Sequence, residues 1–422
     1  MVNNGYAPVM IVVSRNLSSH LMANGTLDES ATYSMESAGL DNTTSLNLSK
    51  LPYPHTIEYK PMLEMIFKTL LYVPIIVLTI IGNTIVIAVV AKNKRMQTTT
   101  NYYIVNLAVA DCLIALTCSW THLVDDLTPF WVLGGFFCTF NAFCQVLSLM
   151  ASVFTLTFIA CDRFFGIVYA MKAHFIERRA SFTIVLIWLL SIAVASPLIF
   201  YRGYQEVQWK DVTESFCMDT WPVNIIHNPE TKTSIVDHRA RRTYFMFVCV
   251  ALFFVPCLVM FCAYLVIIVT LWSAQVPGER ISKDIKSQTK MRKRVVVMLV
   301  IILTVFMICW SPLVGSLIYA EFVHDNLHQF AQWYAPYEFF SKYLAHFNSF
   351  INPFIYAGFN NNFKKGKRRL SESLSRRRHT YSLQHYGVSS RLLPELHSHD
   401  QSVSAPQTRN QRGAAPTNCH RV

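Results

Sequence analysis

The chain has 422 residues; 52% are hydrophobic, only 15% are charged, and the formal net charge is +12. Such an apolar excess excludes an ordinary soluble domain. The basic residues fall in short clusters between apolar blocks rather than on one face, which argues for a lipid bilayer and against a nucleic-acid partner.

Residues 1–62 are polar and without sustained periodicity. They carry N-x-S/T sequons at Asn16, Asn24, Asn42 and Asn47, so a glycosylated, disordered extracellular tail is expected. The run Met10–Val13 is too short for a signal-peptide core, and the first span is expected to act as the internal signal. Seven apolar blocks follow, at about 64–91, 101–124, 136–161, 181–201, 243–272, 294–320 and 335–358. Their length fits membrane helices.

The loops sort by charge. Lys92, Lys94 and Arg95, then Lys172, Arg178 and Arg179, then the run from Arg280 to Arg294, then Lys364 to Arg369 lie on one side. The other side carries Asp125, Asp126, Glu206, Asp211, Glu214, Asp219, Glu321 and Asp325. The basic side is expected to face the cytoplasm, with the N-terminus outside; Arg239, Arg241 and Arg242 run against the trend without overturning it.

Of the eleven cysteines, eight lie within apolar segments, where a thiol is a small hydrophobe. Cys138 and Cys217 fall outside those interiors on the oxidising face, so a disulfide between them is expected, pinning the second outer loop over the bundle. The third block is read as a helix from Cys138 to Asp162, roughly 36 Å long. It ends in Asp162-Arg163 and places Gln145 and Ser152 on one side.

Buried polar residues in lipid are functional candidates because they are costly to bury. Asn83, Asn106, Asp111, Ser152, Asn348, Ser349 and Asn352 fall within the spans. Asp111 has no lysine or arginine at its depth. Asp111, Ser152, Asn348, Ser349 and Asn352 therefore read as an oxygen-rich pocket for water or a monovalent cation, the alternative being a protonated, hydrogen-bonded structural aspartate. Pro197, Pro256, Pro312 and Pro353 each break a helical hydrogen bond. The whole is an all-α membrane protein. Its expected parts are a tail (1–62), a seven-helix bundle (63–358), a short amphipathic eighth helix (359–370) anchored on lipid by Phe363, and a disordered basic tail (371–422).

In order, these residues resemble the rhodopsin-like G-protein-coupled receptors over about 63–368. The matching motifs are Gly82-Asn83, Asn106 to Asp111 (NLAVAD), Trp131-x-x-Gly134, Cys138 with Cys217, Asp162-Arg163 and Trp188. They continue with Pro256 and Tyr264, Phe306 with Cys309-Trp310-Ser311-Pro312, and Asn352-Pro353-Phe354-Ile355-Tyr356. The resemblance implies that Asp162, Arg163 and Tyr264, aided by Tyr356, serve contact with a heterotrimeric G protein. It implies that Trp310, with Phe306, Pro256, Pro312, Asn352 and Tyr356, forms an activation switch. It also implies an allosteric sodium ion held by Asp111, Ser152, Asn348 and Ser349; no other cofactor is expected. The tail serines are plausible kinase targets, which implies arrestin and receptor kinases as partners.

Two departures stand out. Phe164 replaces the usual tyrosine after Arg163. Arg292 and Lys293 stand where some members carry an acid that locks that arginine, so basal activity is expected.

The amine-binding aspartate of related receptors is Gln145 here, and His346 occupies the retinal-lysine position. Gln145 can hydrogen-bond an amide but supplies no charge for a small amine. The outer face combines acids with aromatic residues, which suits a basic peptide. The expected ligand contacts are Asp125, Asp126, Gln145, Trp120, Glu321, Glu338 and His346, with Lys342 turned toward solvent or Glu338. The region resembles receptors of the orexin, tachykinin and neuropeptide Y neighbourhood, with invertebrate trissin-type receptors among them. A receptor for a non-peptide ligand and a transporter are the alternatives. A transporter needs a through-path of ionisable groups, and only Asp111 and His346 lie deep. No enzyme motif is present.

Overall fold

A computed structural model describes residues 48–50, 52–53, 56–57, 59–169, 180–228, 233–273, 283–324, 332–359, 363, 366–369 and 371–372. The four sequons, the loop basics Lys172, Arg178, Arg179, Arg280, Lys364 and Lys365, Asp325 and the tail beyond 372 lie outside them.

Seven long helices make up the bundle: α1 (Met62–Lys92), α2 (Thr99–Leu127), α3 (Gly134–Val168), α4 (Ala180–Tyr201), α5 (Arg239–Ser273), α6 (Lys283–His324) and α7 (Tyr334–Phe359). The first five and α6 are long and apolar enough to cross a membrane. The seventh has the length but carries Glu338, Lys342, His346, Asn348, Ser349 and Asn352, of which His346, Asn348, Ser349 and Asn352 are buried in the bundle interior. Burial sorts the rest: the apolar stretch of α3 is mostly buried, whereas that of α4 is mostly not. The apolar side chains of α4 and α5 that stand exposed, Phe182, Leu189, Leu258 and Phe261 among them, form the face that lipid must cover.

Helices outrun the apolar blocks. Asp162-Arg163 lies inside α3 rather than at its end, and α6 begins 11 residues before the expected 294, since a helix need not stop where lipid does. Two helices contain a wider π turn, at Ala115–Ser119 in α2 and Phe247–Phe254 in α5, the latter just before Pro256. In α4 the break falls at Ser196-Pro197.

Between α4 and α5 lie two antiparallel hairpins that the sequence reading did not anticipate. Strand β1 (Arg202–Gln208) pairs with β2 (Thr213–Asp219), and β3 (Asn224–Asn228) with β4 (Thr233–Asp237). The Cys138–Cys217 disulfide is present, with an S–S distance of 2.01 Å, and ties β2 to the start of α3. Trp131 clips the same strand, its amide donating to the Ser215 carbonyl (2.9 Å) and its carbonyl accepting from Ser215 Oγ (2.7 Å). The Trp131 indole also donates to the Gly134 carbonyl (2.9 Å). Gly134 has φ +72°, a left-handed conformation that glycine adopts without strain, which accounts for the Trp-x-x-Gly spacing.

Phe363 is 4% exposed. Its side chain is thus buried within the protein. Gly366 lies against Val89 and Asn93 at the end of α1. In the C-terminal unit, residues 367–369 and 371–372 are helical, and Arg368 pairs with Glu372 at 3.1 Å.

Candidate functional site

A cavity of about 280 Å³ opens at the disulfide end of the bundle. Gln145 of α3, Trp310 of α6 and residues of α2, α5 and α7 line it, with Arg202, Cys217 and Asp219 of the first hairpin above. Of the seven expected ligand contacts, Asp125, Gln145, Glu321 and Glu338 line this cavity. Asp126, Trp120 and His346 do not. Asp126 accepts from Lys68 Nζ at 2.5 Å, and that ammonium also meets Glu64 (2.7 Å) and sits 4.6 Å above the Phe339 ring. Trp120 donates to the Leu116 carbonyl (2.8 Å) and packs edge-on against Phe137. His346 is buried behind the cavity, between the rings of Tyr72 and His122.

The π turn explains this sorting. Each residue in a helix advances about 100°, so one residue added to a turn rotates everything beyond it by that much. In α2 the rotation brings His122 and Asp125 to the cavity and carries Asp126 toward α1. Thr117 and Thr121 support the widened turn by donating to the Leu113 (2.7 Å) and Cys118 (2.7 Å) carbonyls.

Three polar groups missing from the expected set also line the cavity. His122 Nε2 lies 3.0 Å from Gln145 Oε1. Arg241 Nη2 meets Glu321 Oε1 at 3.0 Å, and its Nε lies 3.5 Å from Asp219 Oδ2. Arg202 completes the chain, meeting Asp219 Oδ1 at 3.0 Å. Thus α6, α5 and both strands of the first hairpin are joined by alternating charges. Lys342 turns to Glu338 at 2.8 Å, as expected. The vestibule is therefore less acidic than its sequence implied: among the lining acids, Asp125 alone lacks an ion pair among the described residues.

Outside the bundle the chain ahead of α1 reaches the same rim. Tyr53 donates its amide to Asp211 (2.8 Å) and its hydroxyl to Glu214 (3.4 Å), and its ring meets Trp209 and Phe130 edge-on. Burial first, then Glu214, raises the Tyr53 pKa, which keeps the phenol protonated as a donor. At the start of α5, burial followed by Arg241 and Arg242 lowers the His238 pKa below its ordinary value.

Beneath the cavity the rings of Trp310, Phe306 and Phe253 form a column, with centroids 6.0 and 5.9 Å apart. Pro312 lies two residues above Trp310, and its carbonyl accepts from Tyr337 of α7 at 3.0 Å. Deeper, Asp111 accepts from Asn352 Nδ2 at 2.9 Å, the amide partner its buried carboxylate lacked in sequence. Ser152, Asn348 and Ser349 are buried in the same interior. Asn106 donates to Thr155 Oγ1 (2.7 Å) and accepts from Trp188 (2.8 Å), knitting α2, α3 and α4. Pro353 has no N–H for the Ser349 carbonyl four residues back; Asn83 Nδ2 supplies the missing donor at 3.0 Å. A methyl group on Gly82 would stand 2.9 Å from the Pro353 ring, so the residue before Asn83 must be the smallest.

At the basic end Arg163 pairs with its neighbour Asp162, and no acid of α6 reaches it among the described residues. Lys293 instead lies 4.6 Å over the Trp272 ring of α5, while Arg292 is exposed. Tyr264 and Tyr356 are buried.

The motif residues Asn83, Asp111, Arg163, Trp188, Pro256, Trp310 and Asn352 thus fall one to each of the successive helices α1 to α7. The profile of the 7 transmembrane receptor (rhodopsin family) matches residues 82–356. The chain belongs to that family. It is accordingly a receptor and not an enzyme. Among rhodopsin-family relatives, the chain is 30% identical over 316 residues to a QRFP-like peptide receptor of Branchiostoma floridae, an overlap of 73% of this chain and 79% of that protein. It is 27% identical over 307 residues to the substance-P receptor of Rattus norvegicus (73% and 71%). It is 31% identical over 317 residues to the tachykinin-like peptides receptor 86C of Drosophila melanogaster (74% and 59%).

Proposed function

We propose that the protein is a plasma-membrane receptor for an extracellular neuropeptide, with its N-terminus outside, that signals through heterotrimeric G proteins. The observation that carries this reading is the cavity itself, which is roofed by the hairpin and floored by Trp310. At about 280 Å³ it is smaller than the ~300–1,000 Å³ typical of drug-sized sites. It takes the end of a peptide, whose remainder lies across the hairpins.

A basic side chain of the peptide finds Asp125, and displaces Arg241 or Lys342 to reach Glu321 or Glu338. Gln145 hydrogen-bonds a peptide amide. Tighter binding to the form with the basic end open shifts the equilibrium through Trp310 and Phe306 toward release of Arg163 from Asp162. Pro256, Pro312, Asn352 and Tyr356 serve as the points about which α5, α6 and α7 move, and Tyr264 supports the freed arginine. Arrestin and receptor kinases engage the C-terminal tail.

A sodium ion fits the middle of the bundle. Asp111 supplies the charge, and Asn348 Oδ1, Asn352 Oδ1 and Ser148 Oγ are buried oxygens without a hydrogen-bond partner. Hard cations take oxygen ligands of this kind. Asp111, Ser152, Asn348 and Ser349 would hold the ion, whose charge favours the resting form.

The test is a peptide library applied to cells expressing the receptor, read as calcium or cyclic-nucleotide responses, followed by nucleotide exchange with purified components. A peptide response that Asp125→Asn or Gln145→Ala shifts at least about tenfold, with surface expression intact, supports the site. Unchanged potency in both variants removes it.

A further inference from the structure

The cavity reading leaves one buried pair unused. His122, on α2, lines the cavity; His346, on α7, stands directly behind it and is 1% exposed. Their ring centroids are 5.4 Å apart with 33° between the planes. Both nitrogens of His346 lack a hydrogen-bond partner among the described residues. A neutral imidazole has one donor and one acceptor nitrogen, so this residue leaves its full bonding capacity free in the interior. The surrounding groups do not use it: Tyr72 presents a ring edge at 5.8 Å, and Lys342, one turn earlier on α7, is taken by Glu338.

We propose that His122 and His346 form an open binding site for a divalent transition-metal ion of the zinc type. Imidazole nitrogen suits zinc, copper and nickel. Two imidazoles on one tetrahedral ion bring their ring centres to roughly 5 Å, given a metal–nitrogen distance of about 2.0 Å and a further ~1.2 Å from nitrogen to ring centre on each arm. The observed pair already has that separation. Gln145 Oε1, 3.0 Å from His122 Nε2, is an oxygen at the same spot. No group of three or more His, Cys, Asp or Glu side chains stands ready for a metal among the described residues. The site is therefore open, its remaining positions filled by cavity water or a donor of a bound ligand, rather than a closed structural centre. Once bound, the ion would join α2 to α7 at the side of the cavity that His122 lines.

This inference does not depend on the peptide reading, and its test needs no peptide. The full chain is purified into lipid nanodiscs with the tail residues His397 and His399 replaced by glutamine, and zinc is titrated against a chromophoric chelator while thermal unfolding is followed. One saturable zinc per receptor is expected, with a raised unfolding midpoint. His122→Gln and His346→Phe should each weaken binding roughly tenfold or more, the phenylalanine preserving the contact with Tyr72. Absence of saturable binding, or binding unchanged in both variants, overturns the proposal. If a variant does not fold, X-ray absorption of the zinc-loaded parent decides: two imidazoles in the first shell support the site, and a shell without them overturns it.

Discussion

The mouth of the bundle and its middle treat polar groups in opposite ways. At the mouth, Glu321, Asp219 and Glu338 are matched by Arg241, Arg202 and Lys342, and Asp126 by Lys68. In the middle, Asp111 has one amide partner, while Asn83 Oδ1, Asn348 Oδ1, Asn352 Oδ1 and the Tyr356 hydroxyl are buried with none among the described residues. Satisfied charge pairs fix a geometry, whereas unsatisfied oxygens invite water, an ion or a second arrangement. The contrast assigns rigidity to the rim and adaptability to the interior beneath it.

The comparison is broken most severely by removing the covalent part of the rim. Cys138→Ser with Cys217→Ser should cost about 2–5 kcal/mol and sharply reduce surface expression, read by thermal unfolding of purified receptor and by flow cytometry. Next, Arg241→Ala leaves the Glu321 carboxylate buried and unpaired. A cost of about 2–3 kcal/mol is expected, below the range for fully buried pairs because the arginine side chain is 19% exposed, and Glu321→Gln in the same background should restore much of it. Asp111→Asn sharpens the other half. It should leave stability within about 1 kcal/mol of the parent, because the lost charge is offset by lost desolvation, while abolishing any dependence of agonist affinity on sodium. Asp126→Asn should lower thermal stability by about 1 kcal/mol without shifting peptide potency, in contrast to its neighbour Asp125. The smallest effect concerns the resting state. With Asp162 the one acid paired to Arg163 among the described residues, basal nucleotide exchange should exceed that of untransfected membranes; equality would show that another contact closes the basic end.

The seven helices and the disulfide were legible because apolar block length and charge asymmetry are local properties of the chain. The choice between Asp125 and Asp126 was not. Adjacent residues on a helix point about 100° apart, and which one faces the cavity depends on a π turn at Ala115–Ser119 that no residue pattern announces. Arg241 looked like an exception to the charge rule, since its partner Glu321 lies 80 positions away in sequence. The second hairpin did leave a trace: the dipeptide Asn228-Pro229 in the sequence, between runs holding Ile225, Ile226, Ile235 and Val236, is a hairpin signal. His122 left none, because a lone histidine in an apolar span reads equally well as packing.

The grip of Asn83 on the carbonyl that Pro353 leaves open has a mechanical consequence. Helix seven is fastened to helix one at the very place where its own ladder is interrupted, so the two segments on either side of the gap can tilt independently without the break widening into solvent-seeking backbone. A bulkier residue at Gly82 would act as a wedge at this joint. Gly82→Ala would thus bias the receptor's conformational balance from a position that touches neither an incoming messenger nor an intracellular transducer.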